Sequence, residues 1–68
     1  MTTKARIAAL QWFHDRGEVK CSSDNGGPTL NMIIRMIVDG QLEYRMSGGV
    51  PVHSLTDKGR QDLHEATP

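Results

Sequence analysis

The 68-residue sequence predicts a small α+β domain ordered helix, short strand, helix, β-hairpin, short helix. Three observations carry this expectation. Two segments, residues 3–16 and 29–39, repeat apolar side chains at helical spacing and end at Gly17 and Gly40. In the segment "LEYRMSGGVPV" apolar and polar residues alternate up to a Ser-Gly-Gly loop, with Val-Pro-Val beyond it. Between the two helical segments, "EVKCSSDNGGP" changes from strand-forming to turn-forming residues. No repeat, low-complexity tract or linker divides the chain, so residues 1–68 read as a single domain.

In the first helix Thr3 is a candidate N-cap and Gly17 the stop. Lys4, Gln11 and Asp15 cluster in one polar stripe, and Ile7, Ala8, Ala9, Leu10, Trp12 and Phe13 occupy most of the remaining surface. Trp12 and Phe13 are expected to anchor the core. Glu18 to Cys21 is a candidate short strand, and Ser22 to Pro28 is turn material. The second helix begins near Pro28 and Thr29 and runs to Asp39. Asn31, Arg35 and Asp39, spaced by four, form its polar stripe. Leu30, Met32, Ile33, Ile34, Met36, Ile37 and Val38 fill an apolar arc of roughly 240°, far wider than a helix covered on one side requires. Such an arc calls for cover from several directions: the first helix, the hairpin, and a second copy or another protein.

In the hairpin, Leu42, Tyr44 and Met46 alternate with Glu43 and Arg45. A three-residue loop Ser47-Gly48-Gly49 would set Val50 and Val52 opposite Met46 and Tyr44. Pro51 cannot donate a ladder hydrogen bond, which predicts an edge position for its strand. Ser54 or Thr56 caps a last helix over about residues 57–65, with Leu63 as its main apolar contact and Gly59 as a weak point.

"MIVDGQLEYR" followed by a hairpin and "LTDKGRQDL" resembles the winged helix-turn-helix domains of bacterial transcription regulators of the MarR and PadR kind. The carrying residues include Leu55, Thr56, Gly59 and Leu63, and the likeness covers residues 29–63 well and the first helix loosely. The resemblance implies a winged-helix-like fold and a DNA-binding regulator. It assigns base-edge contacts to Thr29, Asn31, Met32 and Arg35, and wing contacts to Arg45, Ser47, Gly48 and Gly49. Arg35 suits a guanine or a phosphate, and Asn31 suits an adenine. The sequence departs from the family ahead of the second helix. Gly26, Gly27 and Pro28 do not belong in a helix interior, so the first helix of the helix-turn-helix is shortened or missing.

A second class stays open. Met32, Met36 and Met46 either fill the core or offer an adaptable apolar surface for a protein partner, in the simplest case a homodimer. Eight basic residues balance eight acidic ones, which supplies no bulk attraction to nucleic acid. Catalysis, metal binding and cofactors are not expected. His14, His53 and His64 lie on separate elements without metal-ligand spacing, and Cys21 with His14 lacks an orienting third group. "DNGG" has no following Lys in the P-loop position. Cys21 reads as a small apolar filler and, as the one cysteine, fits a reducing compartment. No apolar run approaches the roughly 20 residues of a membrane span, and the segment after Met1 lacks an apolar signal core. A cytoplasmic protein without membrane contact is the expectation.

Overall fold

The computed structural model describes residues 3–20 and 26–66. Cys21, and with it the predicted end of the first strand, lies outside the described residues, as do positions 22–25 of the predicted turn. The elements follow as α1 (Lys4–Arg16), β1 (Val19–Lys20), α2 (Leu30–Val38), β2 (Leu42–Ser47), β3 (Val50–Leu55) and α3 (Asp57–Ala66). The strands form one antiparallel sheet in the order β1-β3-β2.

Each helix begins on a threonine. The Thr3 hydroxyl accepts the Arg6 amide, Thr29 accepts that of Met32, and Thr56 accepts that of Gly59. Gly17 closes α1 with its amide on the Phe13 carbonyl. α2 ends in paired bonds, Gly40 N–H to the Ile37 carbonyl and Gln41 N–H to that of Met36. These two bonds turn the chain from helix directly into β2.

The core lies between the helices and one face of the sheet. Phe13, Leu10, Ile33, Met36 and Leu42 are its fully buried members, joined by Ala9, Val19, Leu55 and Leu63. Trp12 packs against this cluster while remaining partly exposed, its ring edge-on to Phe13. Removing any of the large fully buried side chains to alanine should cost about 2–5 kcal/mol.

Two expectations about the hairpin are corrected. The loop is Gly48-Gly49 alone, both with positive φ (60° and 83°). That pair satisfies a type I′ turn, which matches the strand twist and leaves Ser47 free to pair. The register is therefore Ser47 opposite Val50, Met46 opposite Pro51, Arg45 opposite Val52 and Tyr44 opposite His53. A shift of one residue exchanges the faces. Leu42, Tyr44 and Met46 share a face with Leu55, His53 and Pro51, whereas Val52 is buried on the opposite face beside Arg45.

The second correction concerns Pro51, whose strand is central rather than at the edge. The turn makes Ser47 and Val50 a hydrogen-bonded pair, so Met46 and Pro51 form a non-hydrogen-bonded one. The Pro51 nitrogen then points toward β1, whose described pairing ends at Lys20 opposite Val52. The missing N–H thus interrupts no bond of the β2–β3 ladder. Among the described residues, no helix is long and apolar enough to cross a membrane.

Candidate nucleic-acid interface

α2 turns Ile33 and Met36 inward, with Met32 and Ile37 partly buried beside them. Its outward surface has two edges. Asn31 and Arg35 are exposed on one, and no hydrogen bond holds either side chain among the described residues. Leu30, Ile34 and Val38 form the other, 60%, 49% and 78% exposed. Thr29 is exposed, but its hydroxyl is engaged as the helix cap.

The third member of the predicted polar stripe, Asp39, is tied to α1. Arg6 Nη1 donates to Asp39 Oδ2 at 2.8 Å and to Gln41 Oε1 at 2.8 Å. The Arg6 hydrogen bond, reinforced by the charges of Arg6, Lys58 and Arg35, holds the Asp39 carboxyl below the usual carboxylate range. Gln41 is buried and passes the connection on, its Nε2 donating to Asp62 Oδ2 at 2.8 Å. Lys58 Nζ donates to the Asp39 carbonyl at 2.6 Å. This network fixes the C-terminal end of α2 against α1 and α3.

On the hairpin, Ser47, Gly48 and Gly49 are exposed at the tip. Arg45 is exposed but paired: its Nη2 donates to both Glu18 carboxylate oxygens, at 2.8 and 2.9 Å. The wing candidates lie along β2 away from α2, Arg45 about 10 Å and Ser47 about 17 Å along the strand from Leu42. The predicted contact residues thus form two patches, one on α2 and one at the hairpin tip. Charge is distributed in the same internal way. Arg6, Arg45, Lys58 and Arg60 each lie within ion-pair distance of a carboxylate. Arg16 lies over the Trp12 ring, 4.3 Å from its centroid. Among the candidate contact residues, Arg35 is the cation without such a partner among the described residues.

The proposed partner surface is also corrected. Met36 is completely buried and Met32 is half-buried against the core, so neither offers the surface expected of it; Met46, at 62% exposure, does. The apolar exposure of α2 belongs instead to Leu30, Ile34 and Val38. Their i, i+4, i+8 spacing is visible in the sequence. The inward direction within a 240° apolar arc is not, because it depends on where α1 and the sheet lie.

His14 and His64 are exposed on different helices, and His53 is buried in β3 between the rings of Phe13 and Tyr44. Comparison of the chain with protein-family models and with curated proteins returned no match.

Proposed function

We propose that the chain is a winged-helix-type DNA-binding regulator, meeting duplex DNA through α2 and the β2–β3 hairpin. The observation that supports this reading is the placement of α2. It lies in sequence between β1 and the hairpin, β3 pairs with both flanking strands, and the outward surface of α2 carries Thr29, Asn31 and Arg35. Residues 21–29 alone separate β1 from α2. A helix that crosses the DNA backbone ahead of the reading helix is therefore shortened or absent, and phosphate contacts are few. If Arg35 and Arg45 each meet a phosphate, log K against log salt has a slope of about −1.8.

The test is titration of labelled duplexes, followed by anisotropy, at low and moderate salt. Arg35→Ala and Asn31→Ala should each weaken specific binding by about 1–3 kcal/mol where they read a base. Wild-type affinity in both variants removes α2 as the reading element. Absence of salt-dependent binding to any duplex removes the DNA reading itself.

A second reading, a protein-association module, is favoured by Leu30, Ile34, Val38, Tyr44 and Met46, all large, apolar and exposed. Here the same frame presents an apolar flank to another protein surface. Ile34→Glu would abolish association and leave the fold intact.

A further inference from the structure

We propose that the open edge of β2 pairs antiparallel with the same edge of a second copy, extending the three-stranded sheet to six strands. This rests on the association reading, and its test reads the mass of the chain without DNA, since Arg45 is claimed by both readings. Among the described residues β2 has one neighbour, β3, and Glu43 through Ser47 are all exposed. Its outer backbone groups follow from the hairpin register. Ser47 and Val50 exchange hydrogen bonds beside the turn, so Glu43, Arg45 and Ser47 direct theirs to β3. Leu42, Tyr44 and Met46 direct their N–H and C=O groups outward. An unpaired row of this kind is a template for another strand.

Alternation restricts a symmetric antiparallel pairing to registers in which these even-numbered residues face each other. The register centred on Tyr44 aligns the whole run from Leu42 to Met46. It sets Tyr44 opposite Tyr44 of the second copy, Leu42 opposite Met46, and Glu43 opposite Arg45 on both sides of the axis. A shift of one step in either direction sets Glu43 against Glu43 or Arg45 against Arg45. The strand is therefore self-complementary in charge in its longest allowed register alone. Glu43 and Arg45 then occupy non-hydrogen-bonded sites, where facing side chains are closest. Arg45 can serve both partners. Both Glu18 bonds use Nη2, which leaves Nη1 and Nε for the Glu43 carboxylate of the second copy.

The apolar surface agrees in position. Tyr44 and Met46 stand on the face of β2 that continues from buried Leu42. α2 packs on β2, the outer strand. The Asp39 bond to Arg6 and the packing of Met32 put α1 on the opposite side of α2 from Leu30, Ile34 and Val38. That stripe and the strand edge therefore share the flank that a second copy would cover.

The test is the mass of the full chain by light scattering from low to high micromolar concentration, with two charge variants. Glu43→Arg and Arg45→Glu each set like charges against each other in a self-pair, and each should raise the dimer dissociation constant by at least about tenfold. Mixed in equal amounts, the two variants face each other with opposite charges at both positions and should regain the wild-type mass as a heterodimer. Circular dichroism checks that each is folded. An arm that needs no variant is amide exchange in the wild type. Protection of Tyr44 and Met46 should rise with protein concentration, while that of Glu43 and Arg45, already bonded to β3, should not. A wild-type monomer at high micromolar concentration overturns the proposal, as does a mixture that stays monomeric. A dimer that survives Glu43→Arg and is lost in Ile34→Glu also overturns edge pairing, but it leaves the association reading standing on α2.

Discussion

Gly59 and Gln41 approach so closely that a Cβ on Gly59 would lie 2.1 Å from the Gln41 carbonyl oxygen. The contact joins the first turn of α3 to the link between α2 and β2, and the opposing atom is backbone, which no rotamer change can withdraw. From propensity, a helical glycine reads as a defect worth about 1 kcal/mol. Here it is what lets α3 pack. The Thr56 hydroxyl, which caps α3, donates to the Gly40 carbonyl at 2.5 Å, and the Thr56 amide donates to Gln41 O at 3.1 Å. Gly59→Ala should therefore destabilise the domain by a net of about 2 kcal/mol despite its better helix propensity. In urea, with a slope near 1 kcal/mol per molar for so small a domain, the midpoint should fall by about 2 M. An unchanged or higher midpoint would show that α3 can shift away without loss.

Gln41 is the joint of the polar network, receiving Arg6 and reaching Asp62 from a buried position. Gln41→Leu leaves both partners with bonds to replace. Their side chains retain 17% and 26% of their exposure, so water meets part of the need. The expected cost is about 1–2 kcal/mol. Arg6→Ala also removes the bond to Asp39 and with it the largest cause of the lowered Asp39 pKa, leaving the weaker pull of Lys58 and Arg35. That contribution is present above about pH 4 and disappears as pH falls through the lowered folded value. A double-mutant cycle between Arg6→Ala and Gln41→Leu should show a smaller loss in the double variant than the sum of the singles. Strict additivity would mean that the residues act separately.

The outline of this fold was legible because local chemistry marks it. Thr3, Thr29 and Thr56 cap, Gly17 and Gly40 stop, and a Gly-Gly pair reverses the chain. What escaped depends on distant parts of the chain. The hairpin register turned on whether Ser47 belongs to loop or strand, and Pro51 is tolerable in a central strand because its nitrogen faces away from β2 and interrupts no bond of the β2–β3 ladder. Met36 and Ile34 are equally apolar in sequence, and the position of α1 decides which is hidden. The pairing of Arg45 with Glu18 brings together residues 27 positions apart, which no local pattern marks.

His53 is buried in the central strand, its ring 6.3 Å from Phe13 and 6.1 Å from Tyr44. Burial pushes its pKa below the ordinary value. The unfolded chain then takes up a proton at this site near pH 6.5, before the folded chain does. Its contribution to stability is whole above about pH 6.5 and is lost as pH falls through the lowered folded value. His53→Gln should reduce stability at neutral pH but flatten its decline between about pH 7 and 5. Urea midpoints at several pH values measure this. Parallel pH curves for wild type and variant would assign the decline to other groups.

The Glu18–Arg45 pair supplies a test of the DNA reading that strengthens binding instead of weakening it. A phosphate at the hairpin must compete with the Glu18 carboxylate for Arg45. Glu18→Gln removes the competing charge and leaves a neutral side chain of similar size. Under the DNA reading, affinity at moderate salt should rise by about fivefold, and the salt slope should steepen by up to about one phosphate equivalent. Net charge alone also favours DNA, so the control is Asp57→Asn. It raises the charge equally and breaks the Arg60–Asp57 pair, while Arg60 stays bonded to the Leu55 carbonyl at the base of the hairpin, at the opposite end from the Gly48-Gly49 turn. If the two variants gain equally, the effect is bulk charge and Arg45 makes no special contact. If Glu18→Gln gains more, Arg45 is at the interface, and Arg45→Ala should cancel that gain in the double variant.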